Sequence, residues 1–276
     1  MIKIKRQKAK LSALLTSAAM LMINIPVTAE EAQSPYTNGI TNVNGYMEFE
    51  QPQVIENQDM TQLGYTDLRA YEIENAGELA WFVQHFYAGD LETQNVSLAD
   101  NINMSDLAGY SWTPLGYYDS STQAGKSYDG VFDGNGYSIA GITMDQISGQ
   151  DLVSTVSAAQ AEATGVPGTE NLTQNALAAV FGYIGASGYV TELKLENTSI
   201  TSNNNAAVLA GRNEGTITAC ITTNSTLTSS MSNAFVSDFV ADNENVIQSV
   251  YSDGFTINNQ LAEDQVTPIL LNYAPG

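Results

Sequence analysis

The amino-acid sequence predicts an all-β fold, a parallel β-helix with a small N-terminal α-helical cap. Two observations predict the β-helix and a third predicts the cap. First, one phrase occurs three times: Gly188-Tyr-Val190-Thr-Glu-Leu193-Lys-Leu195, Gly215-Thr-Ile217-Thr-Ala-Cys220-Ile-Thr222 and Asn245-Val-Ile247-Gln-Ser-Val250-Tyr-Ser252. The anchors Val190, Ile217 and Ile247 lie 27 and then 30 residues apart. Each is followed by a turn former at +7 (Asn197, Asn224, Gly254) and an apolar residue at +10 (Ile200, Leu227, Ile257). Repetition at a fixed period of this size marks a stacked architecture. Second, the copies consist of short alternations of β-branched and polar residues, with Gly or Asn where the chain must bend. A period of 27 to 30 residues holds about three short strands and three turns. Stacked copies would then bury one continuous column of anchors. Third, helical spacing occurs in one place, at Leu79, Phe82, Val83 and Phe86.

The elements follow in order. Residues 1–29 read as a secretory signal peptide, with basic Lys3, Lys5, Arg6, Lys8 and Lys10, an apolar run from Leu11 to Ile25, and small residues before Glu30. Of nine basic residues, Arg69, Lys126, Lys194 and Arg212 lie outside this segment, against thirty acids. The mature chain therefore carries a net charge of −26, compared with −21 for the whole sequence. Such a surface repels nucleic acid and anionic lipid, so a nucleic-acid partner is excluded. No transmembrane segment is expected in the mature chain, which is read as a monomer.

Residues 30–68 are polar and acidic without a period and read as a flexible acidic lead. The β-helix domain is expected over 69–276. Within it, 69–95 forms the cap: a strand at Tyr71-Glu-Ile73, Asn75 and Glu78 in capping-box positions, and Gly89 at the helix C-terminus. His85, the only histidine, lies beside the apolar stripe as a core-edge residue. Short strands follow, and an earlier, looser copy in which Ile139, Ile142 and Met144 match the offsets of Val190, Leu193 and Leu195. The Ser/Ala/Thr-rich stretch 145–175 is expected to leave the stack as a loop, and 258–276 to form a C-terminal cap or tail. Cys220, the only cysteine, shares its slot with Leu193 and Val250 and reads as a small buried hydrophobe.

Several of these pieces together resemble bacterial GLUG-motif proteins. They are Leu79-Ala-Trp81-Phe82, Trp112-Thr-Pro114-Leu-Gly116, Phe132-Asp133-Gly134-Asn135-Gly136, Val180-Phe-Gly182-Tyr-Ile184-Gly185 and Gly211-Arg-Asn213-Glu-Gly215. The resemblance covers about residues 69 to 257. It implies a right-handed parallel β-helix in a secreted or surface-located, adhesin-like protein, with no catalysis in the motif itself. The chain departs from the pattern at Ala241 and Asn245, which replace the glycines of Gly211 and Gly215.

Candidate chemistry is sparse. A lyase acting on an acidic sugar needs cationic groups that this chain lacks. A glycosidase needs two carboxyl groups on one site. Asp129 and Asp133 are the first candidate pair, with Asp238 and Asp242 the second, although Asp129-Gly130 and Asp133-Gly134 are also favoured turn dipeptides. Calcium is the candidate metal, on Asp129, Asp133 and Asn135. Tyr110, Trp112, Tyr117 and Tyr118 are candidates for a glycan-stacking platform, or for packing beneath the helix. The expectation is a non-catalytic adhesion module that binds an extracellular protein or glycan. The alternative is a glycoside hydrolase acting on a neutral glycan.

Overall fold

Strands dominate the chain, and most of them pair in parallel. The computed structural model describes residues 36–37, 40–43, 46–61, 63–107, 110–119, 124–145, 177–202, 205–229 and 236–258. The expected signal segment 1–29, the insertion beyond Asp145 and the tail beyond Asn258 lie outside the described residues. The three copies of the repeated phrase pair with one another strand for strand. Tyr189–Thr191, Thr216–Thr218 and Val246–Gln248 are neighbours in a seven-stranded sheet, with Val190 opposite Ile217 and Ile217 opposite Ile247. Lys194–Glu196, Ile221–Thr223 and Tyr251–Asp253 run in a five-stranded sheet, and Ser199–Ser202, Thr226–Ser229 and Thr256–Ile257 in a four-stranded one. Phe181–Ile184, Ala210–Asn213 and Val240–Asn243 make a three-stranded parallel sheet.

Side chains alternate between faces along each strand, so this pairing gathers like residues into columns. Val190, Ile217, Leu193, Cys220, Ile200 and Leu227 are fully buried. Cys220 is thus part of the core, and burial pushes its thiol pKa up to about 12. The turns also align. Glu192, Ala219 and Ser249 all take positive φ, and so do Asn197, Asn224 and Gly254. Asn and Gly suit that conformation; Glu, Ala and Ser do not, and their residue types give no hint of it.

The earlier copy is real but begins elsewhere. Phe132 pairs with Val190, Ile139 with Leu195 and Met144 with Ile200. The match of Ile139 to Val190 is therefore corrected, because the turn Asp133-Gly-Asn-Gly-Tyr137 lengthens the first interval. Gly134 is needed there for close approach, since a Cβ would run into the backbone of Glu192 and Leu193. Positive φ falls instead on Asn135 and Gly136.

The helix spans Ala76–Ala88 as its spacing predicts. Asn75 Oδ1 accepts the Glu78 N–H at 3.0 Å, and Glu78 reaches back to accept the Glu74 N–H at 2.6 Å. Gly89 ends the helix at φ 77°. Leu79, Phe82, Val83 and Phe86 are buried, with Phe82 and Phe86 against the ring of Tyr128. Lys126 donates from Nζ to the carbonyls of Phe86 and Tyr87, placing a cation on the negative end of the helix.

The segment expected as a flexible lead carries strands. Tyr36–Thr37, Ile40–Val43 and Tyr46–Phe49 form an antiparallel sheet, and Gln53–Glu56 pairs antiparallel with Arg69–Ile73. The chain then returns across the outer side of the large sheet. Met60 is buried there with Ala70 and Val131, and Tyr65, Leu68 and Tyr189 pack around them. A few apolar residues carry this contact, too few to leave a period in the sequence.

Ile217→Ala is expected to lower stability by about 2–5 kcal/mol. Thr216→Ala, on the other face, is expected to stay within about 0.5 kcal/mol. Urea denaturation of both variants tests the register, and equal losses would contradict it. Ala219→Gly is expected to raise stability by about 1 kcal/mol, because glycine tolerates the left-handed turn that alanine resists. A lower urea midpoint for that variant would show that the turn imposes no strain.

Candidate functional site

The first carboxylate pair is divided between two environments. Asp133 is buried: its Oδ1 accepts the Asn135 N–H at 2.9 Å, and its Oδ2 faces the Asn57 amide at 3.5 Å. Asn135 in turn donates to Ser97 Oγ at 2.8 Å and to the Leu98 carbonyl at 2.7 Å. This is a turn network sealed by the segment folded back from residues 57–68. Asp129 sits at an exposed turn, where it accepts from Ser127 Oγ and, at 3.4 Å, from the Ser187 N–H. Both aspartates hold turns. Among the described residues no three His, Cys, Asp or Glu gather as a metal cage, and Asn135 directs its amide group inward.

The aromatic candidates separate too. Trp112 is 1% exposed and donates its indole N–H to the Val180 carbonyl at 3.0 Å; Tyr110 is 8% exposed and meets Phe49 edge to face. Burial also pushes the Tyr110 hydroxyl pKa well up. Neither can stack on a ligand, which corrects that expectation for both. Tyr117 is half-buried against the main core. His85 stacks on Trp81 at 3.8 Å and meets Asp90 at 2.8 Å, a surface pair at the core edge.

Tyr118 alone joins a polar surface cluster. Its ring lies 4.4 Å from the Arg212 guanidinium and 5.3 Å, edge on, from the Tyr183 ring. Arg212 lies between Tyr183 and Asp242 on the three-stranded sheet, and all three side chains point away from the core. Arg212 Nε donates to Glu214 Oε1 at 2.8 Å and Nη1 donates to Asp242; Glu244 stands 3.6 Å from Nη2. Tyr183 donates its hydroxyl to Glu214 Oε2 at 2.8 Å. Burial, aided by that bond to a carboxylate, pushes the Tyr183 pKa up to about 12. Burial alone would lower the Arg212 pKa, but the bonds to Glu214 and Asp242 outweigh it and hold the pKa above the usual arginine value. The side chain of Arg212 is 15% exposed, whereas Asp242 and Glu244 are 43% and 50% exposed. The cluster thus offers carboxylate acceptors and aromatic surface to solvent while its one cation is tucked beneath.

Sequence reasoning missed Tyr183, Arg212, Glu214 and Glu244. A signal was available at offsets −5 and −3 from the anchors, where Arg212 aligns with Asp242 and Glu214 with Glu244. A basic and an acidic residue sharing one column mark outward positions that differ between copies. The second carboxylate pair fails for the same reason of facing. Asp242 lies on the outer surface, whereas Asp238 is 4% exposed, with an Oδ1 that meets no hydrogen-bond partner.

Compared with known proteins, the chain matches no family model, no curated protein and no solved structure. Among the described residues no helix is long and apolar enough to cross a membrane.

Burial raises the pKa of Asp238 above the usual 3.8, against opposing hydrogen bonds that include one from Ser252. A carboxyl raised in the folded state favours folding while protonated. That contribution is lost as pH rises from 3.8 through the folded value. Asp238→Asn is therefore expected to be more stable than the parent at pH 7, by about 1 kcal/mol, with the advantage vanishing near pH 3. Urea midpoints at the two pH values check this, and an advantage independent of pH would refute it.

Proposed function

We propose that the chain is a right-handed parallel β-helix of the GLUG-motif kind that acts outside the cell as a non-catalytic adhesion module. The observation that carries this reading is the division of labour among the repeated strands. Positions that recur in all three copies supply core anchors and turns, while positions that differ, such as Arg212 and Asp242, lie on the outer face. A stack of parallel strands linked by short turns, with an amphipathic helix beside its first strands, is what a capped β-helix requires. The signal-like residues 1–29 support export, and the strongly acidic composition favours neutral or basic partners.

One observation favours the alternative of a glycoside hydrolase: Glu214 and Asp242 share an open face. The guanidinium of Arg212 bridges them, however, and so occupies the place of the glycosidic oxygen in a working pair. Incubating the purified chain with insoluble neutral polysaccharides distinguishes the two readings. Retention in the pellet without release of reducing sugar is the expected result. Release of reducing ends that disappears in Glu214→Gln would overturn the non-catalytic reading.

A further inference from the structure

We propose that the surface formed by Tyr118, Tyr183, Asp242 and Glu244 is a carbohydrate subsite for a neutral sugar ring, with Arg212 as the positioning residue beneath it. The inference rests on the reading that the chain binds through an outer face, and it names where and what. Three features of the cluster support it.

The first is the inventory of free acceptors. Glu214 is committed on both oxygens, Oε1 to Arg212 and Oε2 to the Tyr183 hydroxyl. Asp242 gives one oxygen to Arg212, and Glu244 lies 3.6 Å from the guanidinium, too far for a hydrogen bond. The second oxygen of Asp242 and the carboxylate of Glu244 therefore remain for a ligand. Vicinal hydroxyls suit such acceptors, because O–H donors to carboxylates form strong, short bonds.

The second is rigidity. Arg212 and Asp242 are register partners on adjacent strands, and Glu214 and Glu244 follow each of them by two residues. Asp242 is thus fixed on a strand and braced by the guanidinium, as Glu214 is one residue beyond its strand's end, so little entropy is lost at these two when a ligand binds. Glu244, one residue beyond Asn243, is left to adjust to it. The third is the aromatic wall. Tyr118 and Tyr183 meet edge on next to Arg212, with Tyr118 against the guanidinium and Tyr183 bonded to Glu214. Both stay half-exposed, so their remaining carbon surface is open to the C–H face of a sugar ring.

Charge selects the ligand class. Three carboxylates surround one guanidinium, so the site carries a formal excess of two negative charges. Uronic acids, sulfated sugars and sialylated ends would meet repulsion. A basic peptide is the competing partner, but its attraction would be diffuse over the whole acidic chain and screened by salt.

The test uses the full chain and a panel of neutral tetrasaccharides built from β-linked glucose, mannose, galactose or N-acetylglucosamine, measured by isothermal titration calorimetry. At least one is expected to bind, with affinity changing less than about twofold between 50 and 500 mM salt, because no ligand charge is screened. Tyr118→Ala and Glu244→Gln, each with an unchanged far-UV spectrum, are expected to weaken binding about tenfold or more. Arg212→Lys is expected to weaken it too, since an ammonium cannot brace two carboxylates in one plane. Binding that survives both Tyr118→Ala and Glu244→Gln would overturn this subsite while leaving the adhesion reading intact. Binding confined to poly-lysine and abolished by salt would overturn the sugar assignment. Sugar release lost in Glu214→Gln would instead overturn the non-catalytic reading.

Discussion

Because side chains alternate along a strand, hydrogen-bonded pairing of Tyr189–Thr191 with Thr216–Thr218 and of the latter with Val246–Gln248 decides what every neighbouring residue does. With Val190 opposite Ile217, the threonines on either side of Ile217 face outward. A slip of one residue would drive Thr216 and Thr218 into the core. The turns must then end each strand at the same place in every copy. Glu192, Ala219 and Ser249 hold left-handed conformations for this reason, at roughly 1 kcal/mol each. Burying one aliphatic anchor returns roughly 1.5–3 kcal/mol, so register prevails over local backbone preference.

The same comparison of magnitudes explains how much could be read in advance. Apolar anchors recur by type, so Val190, Leu193, Ile200 and their counterparts were legible, and so were the Asn197, Asn224 and Gly254 turns, whose residues suit positive φ. The helix was legible with both caps because capping is local chemistry between residues three or four apart. What could not be read depends on distant partners. The positive φ of Ala219 is imposed by its neighbours in the sheet. Gln53–Glu56 becomes a strand because Arg69–Ile73 supplies its backbone partners. Phe132, not Ile139, opens the earlier copy because pairing, not counting, sets the alignment.

The candidate site was less legible than the fold, and burial is the cause. Asp133 and Trp112 carry chemistry that sequence alone leaves free, yet one is covered by the returning segment near Asn57 and the other donates to a backbone carbonyl in the core. Tyr118 differs because the hairpin of Tyr117–Asp119 with Ala124–Lys126 brings it beside Arg212. No spacing rule connects residues 118 and 212; the bridges of Leu115 with Phe181 and of Tyr128 with Ile184, on either side of this strand pair, do.

A parallel sheet has a particular difficulty with charge, since residues in one column stand about 4.8 Å apart and like charges stacked there repel. Glu214 and Glu244 share a column, and so do Arg212 and Asp242. Placing the one arginine among three carboxylates relieves the repulsion. It does so only partly, because the site keeps more negative charge than it neutralises. Three of the four basic residues outside the signal-like segment are committed in this manner: Arg69 to Asp67, Lys126 to the helix C-terminus and Arg212 to its carboxylates. A surface with three of these four cations engaged has acceptors to offer and few cationic donors. The proposed partner, rich in hydroxyl donors and free of negative charge, would match that imbalance.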